Sequence, residues 1–262
     1  MNLDLTDKNA LVGGGTDGIG FATAFELATL GCNVILLARN NDKLITKLKE
    51  LPQKENQKHS FLVADFSDPN QVKETVSDYI SKSNPIHIVI NNTGGPPGGQ
   101  IVDANSKEFI SAMNLHLISY HEILQAILPK MKSTGYGRII NVISTSVKQP
   151  LNGLGVSNTI RGAVASWGKT LANELGKYNI TVNNVLPGAT STGRLQSIID
   201  SKANKTGKLA KDIAIEMANE VPMLRVAEPH EVATAVAFLA SPAASYINGI
   251  NLPVDGGRTK SL

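Results

Sequence analysis

Short apolar segments alternate along the chain with longer segments whose apolar positions recur every three or four residues. Short continuous apolar runs are typical of strands buried on both faces, and the periodic segments are typical of amphipathic helices. We predict strands at 9–12, 33–38, 60–64, 86–90, 137–143, 180–186 and 249–254. We predict helices from residue 21 and at 42–51, 68–82, 107–131, 153–175 and 231–239, with an irregular helical segment over about 190–225.

The alternation of strands and helices predicts an α/β fold: a doubly wound parallel sheet of about seven strands in three layers, α/β/α. A length of 262 residues is compatible with a single domain over 1–262. In such sheets ligands bind beyond the carboxyl ends of the strands. Small, polar or turn-forming residues follow the predicted strands, so we expect the chemistry to lie along that edge.

The composition limits the classes of partner and the cellular compartment that we expect for this protein. A formal charge of +3 without a basic cluster gives no support for a nucleic-acid partner. The sequence begins without a basic segment followed by an apolar run, and no segment is apolar enough to span a bilayer. The single cysteine, Cys32, suits a reducing compartment. We therefore expect a cytoplasmic protein with no membrane partner.

A glycine-rich turn, VGGGTDGIG over 12–20, joins the first predicted strand to the first predicted helix. Glycines allow a sharp turn and close approach of an anion to the backbone, and the helix N-terminus offers unpaired N–H groups. A tight turn without a ligand remains the alternative if no other motif supports binding of an anion. The turn residues expected to contact an anionic ligand are Gly14, Thr16, Asp17, Gly18, Ile19 and Gly20.

Six ordered motifs resemble the short-chain dehydrogenase/reductase family over essentially the whole chain. They are G14-x-x-x-G18-x-G20, Asn91-Asn92-Thr93-Gly94, Asn114, Ser144 in GRIINVIS, Pro187-Gly188, and Val254-Asp255-Gly256-Gly257. The resemblance implies a Rossmann-type sheet, a pyridine dinucleotide cofactor and subunits that assemble as a homodimer or homotetramer. It also implies that Ser144 polarises a carbonyl group and that Asn114 holds a water relay.

The resemblance also implies a set of cofactor contacts. Members specific for NAD place an acid at the end of the second strand, whereas this chain has Ala38 followed by Arg39, which suits a 2′-phosphate. We therefore favour NADP(H) over NAD(H), although Asp17 stands where many NADP-binding relatives carry a basic residue. Arg39 can alternatively be a solvated strand-end charge, and Asp65 a strand terminator. The further contacts implied are Asp65, Phe66, Asn92, Thr93, Gly94, Arg161, Pro187, Gly188, Thr190 and Thr192.

The chain departs from the family at its proton donor. The family uses a tyrosine with a lysine four residues later, but the positions thirteen and seventeen residues after Ser144 are Ser157 and Arg161. No tyrosine of the chain has a lysine four residues after it. Serine is a weaker acid than a phenol and shorter, and arginine stays protonated. Arg161 can still donate hydrogen bonds to ribose hydroxyls.

Two functions remain open. The first is an NADP(H)-dependent oxidoreductase acting on a carbonyl/alcohol pair, in which Ser157, a water or a substrate group passes the proton. The S-x-x-x-R site and the Asn92–Pro97 loop resemble a divergent subgroup of 3-oxoacyl-(acyl-carrier-protein) reductases, which implies a small-molecule or acyl-thioester substrate. The second is a catalytically impaired dinucleotide-binding sensor or structural protein.

Three further features each have a structural and a functional interpretation. The segment 190–225 is expected to cover the substrate, and its lysines 202, 205, 208 and 211 form either a solvated flank, which we favour, or an arm for an acidic substrate. Lys148, four residues after Ser144, is more simply a solvated loop lysine than a substitute for the missing lysine. His116 and His121 lack a third ligand at metal spacing, so we predict no metal site.

Overall fold

The computed structural model describes residues 1–82 and 85–261. Within them lie seven strands: β1 (Asn9–Gly13), β2 (Asn33–Ala38), β3 (Ser60–Val63), β4 (Ile88–Asn91), β5 (Gly137–Val142), β6 (Ile180–Pro187) and β7 (Asn251–Val254). The α-helices are α1 (Gly18–Thr29), α2 (Asn41–Lys49), α3 (Pro69–Lys82), α4 (Ser106–Met113), α5 (Ser119–Thr134), α6 (Gly155–Leu175), α7 (Gly193–Thr206), α8 (Ala210–Asn219) and α9 (Pro229–Ala240).

The strands form one parallel sheet in the order β3-β2-β1-β4-β5-β6-β7. The order reverses between β1 and β4, and crevices at such a switch point bind ligands in open α/β sheets. The predicted α/β class, the parallel pairing and the number of strands are confirmed. The carboxyl ends of β1, β4, β5 and β6 therefore lie side by side at one edge.

Alternate residues of each strand pack against helices on opposite faces of the sheet, as period-two geometry requires. Leu11, Ile35 and Leu37 join one core with α3, α5 and α6. Val12 and Leu36 join a second core with α1, α2 and α9. The three layers of the prediction follow from these two cores.

Two predicted elements differ in detail. The long helix predicted at 107–131 is interrupted by a π-helical segment, Asn114–Ile118, which separates α4 from α5. One extra residue per turn in a π segment shifts the side chains that follow it, and such segments are frequent at functional sites. The irregular segment over about 190–225 contains the two helices α7 and α8, which share a small core of their own. Among the described residues, no helix combines the length and apolarity that crossing a membrane needs.

A row of asparagine side chains crosses the sheet under α6. The amide of Asn91 donates to Asn141, that of Asn141 to Asn184, and that of Asn184 to Asn251, each at 2.8 Å. Gly168 of α6 packs against this row, and a Cβ there would lie 2.9 Å from Asn184 Oδ1 and 3.0 Å from Asn141 Nδ2. The absent side chain thus lets α6 approach a row of asparagines that are hydrogen-bonded to one another.

Two glycines of α6 provide a matched test of this packing. We expect Gly168→Ala to lower the free energy of unfolding by about 2 kcal/mol because its Cβ overlaps the buried amides. Gly162→Ala is the control, since nothing lies within 4 Å of a Cβ at that position. The control should raise stability by roughly 0.5–1 kcal/mol through helix propensity. Urea denaturation of both variants decides, and equal effects would contradict the packing argument.

Candidate active site

A cavity of about 790 Å³ opens at the carboxyl ends of β1, β4, β5 and β6. It brings together residues predicted from five separate segments of the sequence, from the glycine turn to the start of α7. The predicted site residues that line it are Gly14, Asp17, Gly18, Ile19, Asn92, Thr93, Gly94, Ser144, Ser157, Arg161, Pro187, Gly188, Thr190 and Thr192. The cavity is therefore large enough for a ligand and carries the expected chemistry.

Six predicted site residues lie outside this lining: Thr16, Gly20, Arg39, Asp65, Phe66 and Asn114. Phe66 is buried, its ring stands edge-on to Tyr120, and its carbonyl accepts a hydrogen bond from Ser119. Asn114 begins the π segment and is half-buried. These positions can act on a ligand only through their backbone or at the margin of the cavity.

The glycine turn is packed against the end of β4. Gly14 and Gly18 have φ of +57° and +49°, which disfavour other residues there. The Asn92 amide donates to the Gly13 carbonyl at 3.1 Å. A Cβ on Gly20 would lie 2.2 Å from the Gly14 carbonyl oxygen, so no side chain fits between the turn and α1. The turn is thus held in close contact with α1 and β4 as a backbone cradle, and the N–H groups at the N-terminus of α1 can bind a phosphate there.

Asp17 caps α1 itself. Its backbone is extended, and its carboxylate accepts from the Gly18 N–H at 2.7 Å. The acid therefore uses one N–H of the helix terminus, and the following N–H groups are those that can bind an anion. Thr192, the N-cap of α7, stands close by, because a Cβ on Gly18 would lie 3.0 Å from its methyl group. The two helix N-termini thus converge on one end of the cavity.

Ser144 and Ser157 place two hydroxyl groups in the cavity. Ser144 follows β5 and its Oγ accepts from the Ser146 N–H at 3.1 Å, so its own hydrogen can be donated to a ligand. Ser157 lies in the first turn of α6 and is 8% exposed. A small alkanol thus lines the cavity at the start of α6.

Arg161, one turn further along α6, is buried yet lines the cavity. Its Nη1 donates to the Val142 carbonyl at 3.1 Å, and its guanidinium lies close enough to the Tyr120 phenol for each to shift the pKa of the other. Burial lowers the pKa of Arg161; Tyr120 opposes this and the charge of Arg194 adds to it. Arginine begins so far above neutrality that the group stays charged. A permanent cation therefore forms part of the cavity floor.

A hydrogen-bonded chain supports that cation from below. Tyr120 Oη lies 2.9 Å from Thr93 Oγ1, which in turn lies 2.7 Å from His116 Nδ1. Burial lowers the pKa of His116 to about 2, and the charges of Arg161 and Arg194 add to the effect. Burial raises the pKa of Tyr120. These three hydrogen-bonded side chains are therefore neutral at physiological pH. Thr93 contacts the other two and also lines the cavity.

The far end of the predicted cofactor region is open. The Arg39 side chain is 80% exposed, and its Nη1 lies 3.8 Å from Asp65 Oδ2. Asp65 also accepts from the backbone and hydroxyl of Ser67, and the Ser67 backbone bond lowers the pKa of that carboxyl most. Exposed pairs at this distance contribute little, so the guanidinium can turn toward a phosphate at small cost.

Sequence reasoning missed two residues of the site. Tyr120 is buried under Arg161, and its place on the inner face of the site depends on the π segment before it. Arg194 of α7 lines the cavity and its Nη2 donates to the Pro96 carbonyl. Arg194 and Pro96 are 98 positions apart in the sequence, so no local signal predicts their contact. Lys148 lies outside the lining, whereas Lys202 and Lys205 belong to it.

Comparisons with known proteins identify the family. Residues 14–259 match the family model described as "Enoyl-(Acyl carrier protein) reductase". The chain is 30% identical to the 3-oxoacyl-(acyl-carrier-protein) reductase FabG of Chlamydia trachomatis, over 97% of this chain and 98% of that protein. This chain belongs to the short-chain dehydrogenase/reductase family of oxidoreductases.

Solved structures of the family share the fold. The L-sorbose reductase of Gluconobacter frateurii, solved with NADPH and L-sorbose, has a TM-score of 0.93 and 29% identity, with all of both chains covered. YwfH, an NADPH-dependent reductase involved in bacilysin biosynthesis, has a TM-score of 0.91 and 27% identity over 98% of this chain and 100% of its own. The Rossmann-type arrangement expected from the sequence is thereby confirmed.

Substituting Gly20 tests the cradle. We expect Gly20→Ala to weaken NADPH binding at least tenfold, because its Cβ would displace the Gly14 carbonyl and with it the turn. Fluorescence titration with NADPH measures the dissociation constant, and circular dichroism checks that the variant folds. Gly162→Ala again serves as the control and should bind as the parent does. Unchanged affinity in folded Gly20→Ala would refute the assignment of the turn as the phosphate site.

Proposed function

We propose that the protein is an NADP(H)-dependent oxidoreductase of a carbonyl/alcohol pair, similar to 3-oxoacyl-thioester reductases, with Ser144, Ser157 and Arg161 at its reacting end. The observation that carries the proposal is the shared cavity: the glycine turn, the Ser144 hydroxyl and the Arg161 cation all line it. When bound, the cofactor would supply or accept the hydride. The segment over about 190–225 would cover the site as a substrate lid within a single domain, 1–262.

The residues present fit NADP(H). Gly14 and Gly20 let the turn pack tightly against Asn92 and α1, and this packing sets the backbone that would hold a pyrophosphate, with Thr192 close to Gly18. Ala38 and Arg39 end β2 without an acid, and an exposed guanidinium suits a 2′-phosphate. Relatives with FabG-like and NADPH-dependent names support the same choice. Thr190 would lie by the nicotinamide end with Pro187 and Gly188, and Asp65 with the Phe66 backbone by the adenine.

Each hydroxyl and cation has a proposed role in the reaction. Ser144 would donate a hydrogen bond to the carbonyl oxygen, since its Oγ already accepts from the Ser146 N–H. Arg161 would stabilise negative charge on that oxygen and orient the ribose hydroxyls. It cannot relay a proton, because it keeps its own. The proton must therefore come from Ser157, from a water, which Asn114 would help to hold, or from the substrate.

A second function is favoured by one specific observation. The Arg161 guanidinium is held from within by Val142 and Tyr120, as in a structural role. A catalytically impaired sensor or structural protein that binds the dinucleotide would keep these contacts and need no proton donor. In either case we propose a homodimer or homotetramer in the cytoplasm, without nucleic-acid or membrane partners.

Removing the Ser144 hydroxyl tests the enzymatic role. We expect Ser144→Ala to lower kcat/KM for NADPH oxidation about 10²-fold or more, because a hydrogen-bond donor to the developing oxyanion is lost. Affinity for NADPH should stay within about twofold. Absorbance at the reduced nicotinamide band, with a panel of ketones and acyl-thioesters, measures the rate.

The alternative makes the opposite prediction for the same panel. A non-catalytic protein binds NADPH but shows no oxidation above the Ser144→Ala background. It should gain turnover in the double variant Ser157→Tyr with Arg161→Lys, which restores the family's proton donor. Turnover by the parent chain that Ser144→Ala abolishes would exclude this alternative.

A further inference from the structure

The cavity carries an excess of positive charge at its substrate side. Among the described lining residues, the cations are Arg161, Arg194, Lys202, Lys205 and Arg258, and the acids are Asp17 and Glu220. Both acids are already used: Asp17 caps α1, and Glu220 pairs with Arg258. The cationic excess is therefore not neutralised by side chains of the cavity.

Among these cations, Arg161 carries the largest cost of removing a charge from water, because it is the most deeply buried. It is 6% exposed, it donates to the Val142 carbonyl, and the neutral Tyr120 phenol lies nearby. None of the ion pairs found among the described residues includes it. A buried cation without an anion is unfavourable, since neutral acceptors replace only part of its hydration. An anionic ligand at this point would remove that cost.

Arg194 faces the same region from the opposite wall. It lies at the start of α7, is half-buried, and donates to the Pro96 carbonyl, so the loop after β4 holds it in place. A Cβ built on Gly95 would lie 3.3 Å from Arg194 Nε, so the guanidinium packs directly against the backbone of this glycine loop. It also belongs to no ion pair among the residues described.

The two arginines and Ser144 line the same cavity. Arg161 is bonded to Val142, the last residue of β5 and two residues before Ser144, and Arg194 is bonded to the loop that follows β4. β4 and β5 are neighbours in the sheet. The Ser144 hydroxyl, which would contact the reacting carbonyl, therefore shares the cavity with two guanidinium groups that are close enough for the charge of Arg194 to lower the pKa of Arg161. Guanidinium groups bind carboxylates with paired hydrogen bonds, which fixes direction as well as charge.

We propose that Arg161 and Arg194 form a carboxylate subsite, and that the substrate is a carbonyl compound, or the corresponding alcohol, that carries its own carboxylate. This inference rests on the proposed function and narrows its substrate class. The cofactor's pyrophosphate is the other source of anionic oxygen. We assign that group to the glycine turn, because the contacts of the two arginines run to Val142 and Pro96 and not to the turn.

The test compares acids with their neutral esters. The probes are 2-oxobutanoate, 3-oxobutanoate and 4-oxopentanoate, each beside its methyl ester, with the chain saturated by NADP⁺ so that no hydride can be transferred to the carbonyl. Calorimetry measures each dissociation constant. We expect at least one acid to bind tenfold or more tightly than its ester. Equal binding of acids and esters throughout the series overturns the proposal.

Variants assign the preference to the two arginines. Arg194→Gln should reduce the ratio of acid to ester affinity to below threefold, and Arg194→Lys should retain part of it. Lys205→Gln is the control, because it removes the same charge from an exposed part of the same lining. A similar loss in the control would show general attraction of anions and would contradict a subsite. Arg161→Gln is a second arm; because Arg161 would also orient the cofactor ribose, its affinity for NADP⁺ is measured first so that saturation is restored, and its folding is checked by thermal melting.

The cofactor arm separates this inference from the proposed function. NADPH and NADP⁺ are titrated into the parent and Arg194→Gln without substrate, and cofactor affinity should differ less than twofold. A large loss would show that Arg194 serves the cofactor phosphates and would overturn the carboxylate subsite. If neutral ketones are reduced as well as acids, the function stands and the subsite fails. If acids bind through the arginines while no dinucleotide binds, the function fails and the subsite stands.

Discussion

The close contact of the glycine turn, α1 and the end of β4 is the constraint on which the rest of the site depends. Gly20 rests against the Gly14 carbonyl, and Asn92 reaches the Gly13 carbonyl across the switch point of the sheet. Any larger residue at position 20 would push α1 away from β1. Because β4 leads into the Asn92–Pro96 loop and that loop holds Arg194, the same contact positions both ends of the cavity.

The second feature is the permanent charge of Arg161, buried in the wall of the cavity. A tyrosine with a lysine can pass a proton, whereas Ser157 and Arg161 supply a small hydroxyl and a fixed cation. Next to that cation, the side chains of Tyr120, Thr93 and His116 form a neutral hydrogen-bonded row. A site organised in this way is better suited to stabilising negative charge than to donating a proton.

Much of the fold could be predicted from the sequence because its strands are short apolar runs and its helices are periodic. The glycine turn, Ser144, Ser157 and Arg161 follow from motif spacing and lie in one cavity. Tyr120 and Arg194 did not follow, for physical reasons. The π segment changes the direction of Tyr120, and the Arg194 contact with Pro96 joins segments distant in sequence. The segment over about 190–225 was predicted as irregular because its small core of Leu195, Ile199, Ile213 and Met217 is spread over two helices.

The central claim is that this cavity binds a phosphorylated pyridine dinucleotide beside an altered proton-handling site. Titrating the unmodified protein with NADPH and with NADH, followed by nicotinamide fluorescence, tests it most directly. The account predicts saturable binding of both, with NADPH at least tenfold tighter because Arg39 and the absence of an acid after β2 favour the 2′-phosphate. If neither dinucleotide binds at millimolar concentration, the claim is contradicted.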